Sequence, residues 1–297
     1  MLEHVGNLEQ TARGFASNLA ARAGRLYDRL PCKQPVLSML KPLGLPHSVY
    51  RHLHFIGEFE VATPRGPFRM FHHGAEIENE LFWEGLPGRR ERVSMELWMR
   101  LCQKARVILD VGANTGIYSL VAAVMNPGAR VYGFEPITTL FERYEGNCRV
   151  NGFDVHTFRT ALSNAAGMGV MRGWVLEKGT EARALDDEVV STTRLDALIE
   201  SCSLGPVDLA KIDVEGHEPE VLEGMGRFLA EFKPTLLIEV LSDSAGEKLE
   251  AFLGDLGYLY FDLDEVGPPR LMRHIRASSH WNYLVCSPAT AGELGIA

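Results

Sequence analysis

A chain of 297 residues, 46% of them apolar, can bury a full α/β core and leave about a hundred residues for a second module. Its 30 basic residues against 39 acidic ones give a formal charge of −9 with no run of Lys and Arg, which excludes grip on a nucleic-acid backbone as the main task. The five cysteines form no C-x-x-C pair, no 18 apolar residues run together and no apolar signal region opens the chain, so reduced thiols, no zinc site, no stable membrane insertion and a cytoplasmic location are expected.

Residues 11–30 align Phe15, Leu19, Ala23, Leu26 and Leu30 on one stripe, an amphipathic helix. Pro31, Pro35, Pro42 and Pro46 then interrupt helical patterning, so an irregular linker is expected up to residue 50. From Phe55 the period changes to two. E-F-E-V-A, the turn Pro64-Arg65-Gly66 and F-R-M-F-H-H read as a β-hairpin. Phe68, Phe71, His72, His73, Phe82 and Trp83 crowd the segment that follows, either as a substrate-facing cap or as an apolar cluster with surface histidines. Val93, Leu97 and Leu101 predict a helix over 91–104. The expected divisions are therefore 1–50, a helix and linker; 51–104, a hairpin and helix cap; and 105–297, the main domain.

Val107 to Ser119 reads V-I-L-D-V-G-A-N-T-G-I-Y-S. An apolar run ends at Asp110, turns through Gly112, Ala113, Asn114, Thr115 and Gly116, and resumes at helical spacing with Ile117, Leu120, Val121 and Val124. That is a buried strand, a glycine turn and a helix. Glycines at the turn let backbone approach a ligand, and the helix start offers unpaired N–H groups to it. The spacing is G-x-x-x-G, not the G-x-G-x-x-G of a dinucleotide site, so a pyrophosphate is not the obvious guest. The next strand, V-Y-G-F, runs into Glu135 about 20 residues past the turn, where a carboxylate can accept both hydroxyls of a ribose. A helix through Phe141, Tyr144 and Cys148 closes at Asn151-Gly152. A third strand over about 155–162 follows. Gly167, Gly169, Gly173 and Gly179 then mark hairpins, a natural place for substrate selection, with Trp174 available to pack on a sugar ring or to anchor the hairpin.

V-D-L-A-K-I-D, Val207 to Asp213, reads as the fourth parallel strand, with a helix starting near Pro219. Lys211 needs a partner inside that strand, and Asp213 lies on the same face. Glu215 and His217 follow in the loop, and Glu239 ends the next strand, Leu236 to Val240. Ionisable groups converging on one rim suggest a catalytic centre. Val221 to Phe232 predicts one helix and Leu249 to Leu256 another; Tyr258 to Leu263 and Trp281 to Cys286 are the last strands, and Ala289 to Ala297 is expected to fray.

D-V-G-A-N-T-G at 110–116, G-F-E-P at 133–136, T-R-L-D-A-L at 193–198, K-I-D-V-E-G-H-E at 211–218 and L-I-E-V at 237–240 resemble, in order, the FkbM family of S-adenosylmethionine-dependent methyltransferases. The resemblance covers roughly the last two thirds of the chain. It implies a class I, Rossmann-like methyltransferase sheet with helices on both faces, and O-methylation of a sugar, glycolipid or polyketide hydroxyl. It also implies a cofactor wall of Asp110, Gly112, Ala113, Asn114, Gly116 and Glu135, adenine contacts at Ser163, and Glu91 beside the cofactor.

Methyl transfer to a hydroxyl needs an aligned approach and removal of a proton. His217 is the best candidate base because its ordinary pKa lies near neutrality. Asp213 would orient substrate or cofactor, with Lys211, Glu215 and Glu239 around it. A second reading takes Asp213 and Glu239 as oxygen ligands for Mg²⁺; no metal is assigned. A nicotinamide oxidoreductase and a non-catalytic module with a retained fold are the rival functions. The expected partner is a hydroxylated small molecule or glycan, and a homodimer through residues 1–100 is left open.

Overall fold

A computed structural model describes residues 33–86, 91–178, 184 and 187–296. The stripe expected over 11–30, Pro31 and Gly179 lie outside them. By contacts the chain forms two compact units, the described part of 1–57 with His72–Asn79, and Glu58–Phe71 with Glu80–Ala297.

In the first unit, where an irregular linker was expected, α1 (Lys33–Leu40), a 3₁₀ turn at Lys41–Leu43 and α2 (His47–Tyr50) follow one another. Pro35 and Pro42 fall in first turns, where the absent N–H has no helical partner to lose. His72 is fully buried, 3.3 Å from Asn79 Oδ1, which makes it a core histidine rather than a surface one.

The expected hairpin is present as β1 (Gly57–Thr63) and β2 (Gly66–His72), followed by α3 (Glu76–Glu84) and α4 (Arg92–Cys102). Then come β3 (Val107–Val111), α5 (Ile117–Met125), β4 (Arg130–Phe134), α6 (Thr138–Asn151) and β5 (Val155–Phe158). A small second sheet interrupts the alternation with β6 (Ala161–Leu162), β7 (Gly167–Arg172), β8 (Val175–Lys178) and β9 (Glu188–Thr193). The main fold resumes with α7 (Leu195–Ser201), β10 (Leu209–Ile212), α8 (Glu218–Met225), α9 (Arg227–Phe232) and β11 (Thr235–Glu239). It closes with α10 (Asp243–Leu253), β12 (Leu259–Asp262), β13 (Arg270–Met272), β14 (Asn282–Cys286) and α11 (Pro288–Leu294).

The large sheet runs β13-β12-β14-β11-β10-β3-β4-β5. β5, β4, β3, β10 and β11 are parallel, and β14 lies antiparallel between β11 and β12. The chain winds outward from β3 in both directions, so the crevice between the carboxyl ends of β3 and β10 is the natural binding place. This is the class I methyltransferase sheet that the resemblance implies. Every residue of β3 and β10 is buried, as near-continuous apolar strands covered on both faces should be.

Four expectations are corrected. The third strand divides: β5 ends at Phe158 and β6 pairs with β9 in the small sheet, so Ser163 directly follows a strand of the insertion. The helix expected over 221–232 breaks at Gly226, whose φ of 56° and ψ of −136° no helix accepts. β13 adds an edge strand. The last residues form α11 instead of fraying, because the Ser287 hydroxyl caps it by accepting from Thr290 N at 3.1 Å. No described helix is long and apolar enough to cross a membrane.

Candidate active site

The turn after β3 is held by its neighbours. Gly112 N and Ala113 N both donate to Phe134 O at 3.0 Å, Gly116 N to Ala113 O at 2.8 Å, and Asn114 N to Glu135 Oε2 at 2.9 Å. The amides expected to face a ligand thus already have protein acceptors, and little is left to cradle a pyrophosphate. Gly112 has φ 79°, and a Cβ there would lie 1.9 Å from Asp213 O, so the glycine lets the loops after β3 and β10 touch. At Gly116 a Cβ would meet Tyr144 Cδ2 at 2.1 Å. Both glycines therefore serve packing first.

Tyr144 is fully buried and its hydroxyl donates to Ser119 Oγ at 2.6 Å; Ser119 in turn donates through Oγ (2.7 Å) and N (2.9 Å) to Asp110 Oδ2. Asp110 Oδ1 is buried without a partner. Burial raises the Asp110 pKa, against the pull of Lys211 and Ser119. Glu135 also accepts from Ile137 N at 2.9 Å, and burial pushes its carboxyl up to about 7 despite these amides.

Lys211 stands opposite Asp110 in the β10–β3 ladder. Its ammonium lies 2.8 Å from Asp213 Oδ2 and 4.5 Å from the centroid of the Tyr118 ring. Burial works against the charge, but Asp213, Asp110 and Glu91 outweigh it and keep the lysine protonated. The Tyr118 hydroxyl donates to Glu91 Oε2 at 3.0 Å, which brings Glu91 to the same group. Burial raises the Glu91 pKa as well. Glu265 holds the start of α4 in place by accepting from Val93 N at 2.6 Å and Ser94 N at 3.2 Å.

Glu215 takes a positive φ of 54°, and burial and Asp213 raise its pKa. Glu239 has a buried Oε2 without a partner; burial, then Asp213, Glu218 and Glu215, push it up to about 9. At neutral pH it holds its proton, so it can donate a hydrogen bond but is no ready base. Ser163 Oγ lies 2.9 Å from His217 Nε2, and His217 Nδ1 lies 3.8 Å from Glu220 Oε2. For the Mg²⁺ reading, the Lys211 ammonium already occupies Asp213 Oδ2, and no group of three or more acidic, His or Cys side chains among the described residues is disposed to hold a metal.

The family model of the Methyltransferase FkbM domain matches residues 110–260, half of the chain. The chain belongs to the FkbM methyltransferase family. Hexuronic acid methyltransferase AglP of Haloferax volcanii is 30% identical over 148 residues, 49% of this chain and 61% of that protein. AMB antimetabolite synthetase AmbE of Pseudomonas aeruginosa is 31% identical over 160 residues, 40% of this chain and 8% of that protein. 31-O-demethyl-FK506 methyltransferase FkbM of Streptomyces tacrolimicus is 27% identical over 153 residues, 40% of this chain and 59% of that protein. The chain spans less than two thirds of the length of each.

Within this FkbM domain, sequence reasoning overlooked Tyr118, Ser119, Tyr144 and Glu218. Glu218 is fully buried, accepts from Val214 N (3.0 Å) and Gly216 N (3.1 Å), and is pushed by burial up to about 7. An acid directly before Pro219 at a helix start was its signal. Tyr118 and Tyr144 carried none, because their hydroxyl partners sit on other elements.

Proposed function

We propose that this chain is an S-adenosylmethionine-dependent methyltransferase that methylates a hydroxyl oxygen of a sugar, glycolipid or polyketide-type small molecule. The observation that carries the reading is the charge balance at the crevice. Glu91, Asp110 and Asp213 act together on the buried Lys211 ammonium, Glu215 adds a fourth acid beside Asp213, and Asp110 keeps a buried oxygen without a donor. Such a site favours a cation with N–H donors and disfavours the pyrophosphate of a nicotinamide dinucleotide. Family membership and the names of AglP and FkbM, both methyltransferases, support the same direction.

When bound, S-adenosylmethionine supplies an electrophilic methyl carbon on a positively charged sulfur. On this reading the free lone pairs of Glu135 would take the ribose hydroxyls, and Gly112, Ala113, Asn114 and Gly116 would shape the wall beside them. Glu91 would hold the cofactor's ammonium end, with Asp110 behind it adding negative charge. Asp213, fixed by Lys211, orients the reacting groups. His217 receives the acceptor's proton, and the protonated Glu239 donates a hydrogen bond at the rim.

Calorimetry with S-adenosylmethionine and S-adenosylhomocysteine, in phosphate and in Tris at pH 7, tests this. Both should bind, and the methionine form should release more protons, because the added positive charge lowers the raised carboxyl pKas. Folded protein that binds neither but binds NAD would sink the proposal. Binding without turnover of any hydroxylated acceptor would favour the non-catalytic module.

A further inference from the structure

The unit made of the described part of 1–57 and His72–Asn79 takes no part in the site above, and its surface is apolar where helical patterning leads one to expect the reverse. An amphipathic helix of a folded chain turns its apolar stripe inward. In α1 Leu37 does so, at 1% exposure. Val36 and Met39, with Leu43 in the 3₁₀ turn, instead repeat at helical spacing on the outside, Met39 at 79% and Leu43 at 68% exposure. Val49, Ile56 and Ile77 add exposed apolar side chains to the same small unit. Such residues scattered singly are ordinary, whereas six within so short a length of chain mark an interaction surface.

The charge around this surface says what would lie on it. Residues 11–57 carry seven Lys and Arg against one acid, Asp28, and residues 29–57 hold no Asp or Glu at all. The stretch stands at +6 in a chain whose total is −9, which leaves −15 for the remainder. Upstream in the sequence, Phe15, Leu19, Ala23, Leu26 and Leu30 are likewise accompanied by Arg22, Arg25 and Arg29. Apolar residues interleaved with basic ones suit an anionic bilayer, where the first settle at the boundary of headgroups and acyl chains and the second among the phosphates. A second copy of the chain would bring the same positive surplus against itself. Side chains as exposed as Met39 and Leu43 also stand out from the surface, which suits a deformable bilayer boundary better than a flat protein face.

We propose that residues 33–57 form a docking surface for an anionic phospholipid bilayer, with Val36, Met39 and Leu43 at the headgroup boundary and the positive surplus of 11–57 drawn to the phosphates. The contact is peripheral, since no described helix is long and apolar enough to cross. It is independent of the cofactor and acceptor readings, because binding to a vesicle needs neither.

The test floats the full chain with vesicles of phosphatidylcholine alone and of phosphatidylcholine with about 30% phosphatidylglycerol, at about 0.05 M and about 0.5 M salt. At low salt the anionic vesicles should bind at least about tenfold more tightly, each Lys or Arg near such a surface being worth about fivefold. High salt should erode the difference as the Debye length shortens. Met39→Glu combined with Leu43→Glu, at exposed positions that folding tolerates, should weaken binding to the anionic vesicles at least about tenfold. Val266→Glu, at an apolar residue 87% exposed elsewhere in the chain, should change it less than about twofold and so controls for added negative charge. No binding to anionic vesicles, binding that survives the double change, or an equal loss in Val266→Glu overturns the proposal. So does a chain that sediments as a dimer, becomes monomeric with the double change and never floats, which would make the face a contact between copies.

Discussion

Glu239 shows how a single carboxyl can work against the fold that carries it. Its pKa is raised to about 9 in the folded chain, so between its unfolded value and that pH the folded state binds the extra proton. Stability contributed by this group is therefore present in acid and declines as pH rises towards 9. Glu239→Gln should match the native protein near pH 5 and exceed it by of order 1 kcal/mol at pH 8 to 9, after allowance for solvent screening. Urea midpoints across that range would show it, and parallel slopes for the two proteins would refute it. Tyr144 makes the opposite case. Its buried hydroxyl completes the chain through Ser119 to Asp110, so Tyr144→Phe should cost about 1 kcal/mol in urea unfolding. Gly133→Ala should cost several times more, since the new Cβ would lie 1.9 Å from that hydroxyl.

At the scale of elements, the site depends on segments pinned from far along the chain. Glu265, after β12, caps α4 and so steadies the start of the helix next to Glu91. Glu265→Ala should lower stability by about 1 to 2 kcal/mol. It should also red-shift the emission of buried Trp98, whose indole donates to Tyr118 O at 3.0 Å; an unshifted spectrum would mean that α4 holds without the cap. The elements that periodicity made legible, β3 with its glycine turn, β4, α6, β10 and β11, carry strong apolar patterns of their own. Those that it missed are set by partners elsewhere. β6 is a strand because β9 lies beside it, α8 stops because Gly226 takes a backbone conformation that no helix continues and that Asp196 leaves no room for a side chain to share, and α11 forms because Ser287 caps it. Asp110, Lys211, Asp213 and Glu91 were legible as ionisable groups at strand ends or by resemblance, and they do gather. Tyr118, which joins Glu91 to Lys211, was not, because a tyrosine in an amphipathic helix looks like core. Gly112 and Gly116 were read for a ligand's approach, whereas Asp213 and Tyr144 occupy the space a side chain would need.

Across the whole molecule, the acidic excess of −9 has a local counterpart at the crevice. A sulfonium ligand should therefore bind more tightly than its neutral thioether product at low salt. The ratio of their dissociation constants should shrink as ionic strength rises and the Debye length falls from about 30 Å at 0.01 M to about 10 Å at 0.1 M. Calorimetry at the two salt concentrations would check it, and a ratio that grows with salt would be inconsistent with a carboxylate-dominated site. The strand order has a different kind of consequence, for synthesis. β14 supplies the antiparallel neighbour of β11, pairing Leu236 with Val285 and Ile238 with Tyr283. Until the ribosome has released the chain through Cys286, β11 keeps one row of backbone donors and acceptors open, and a nascent chain stalled before that point carries a sticky edge that a chaperone must cover.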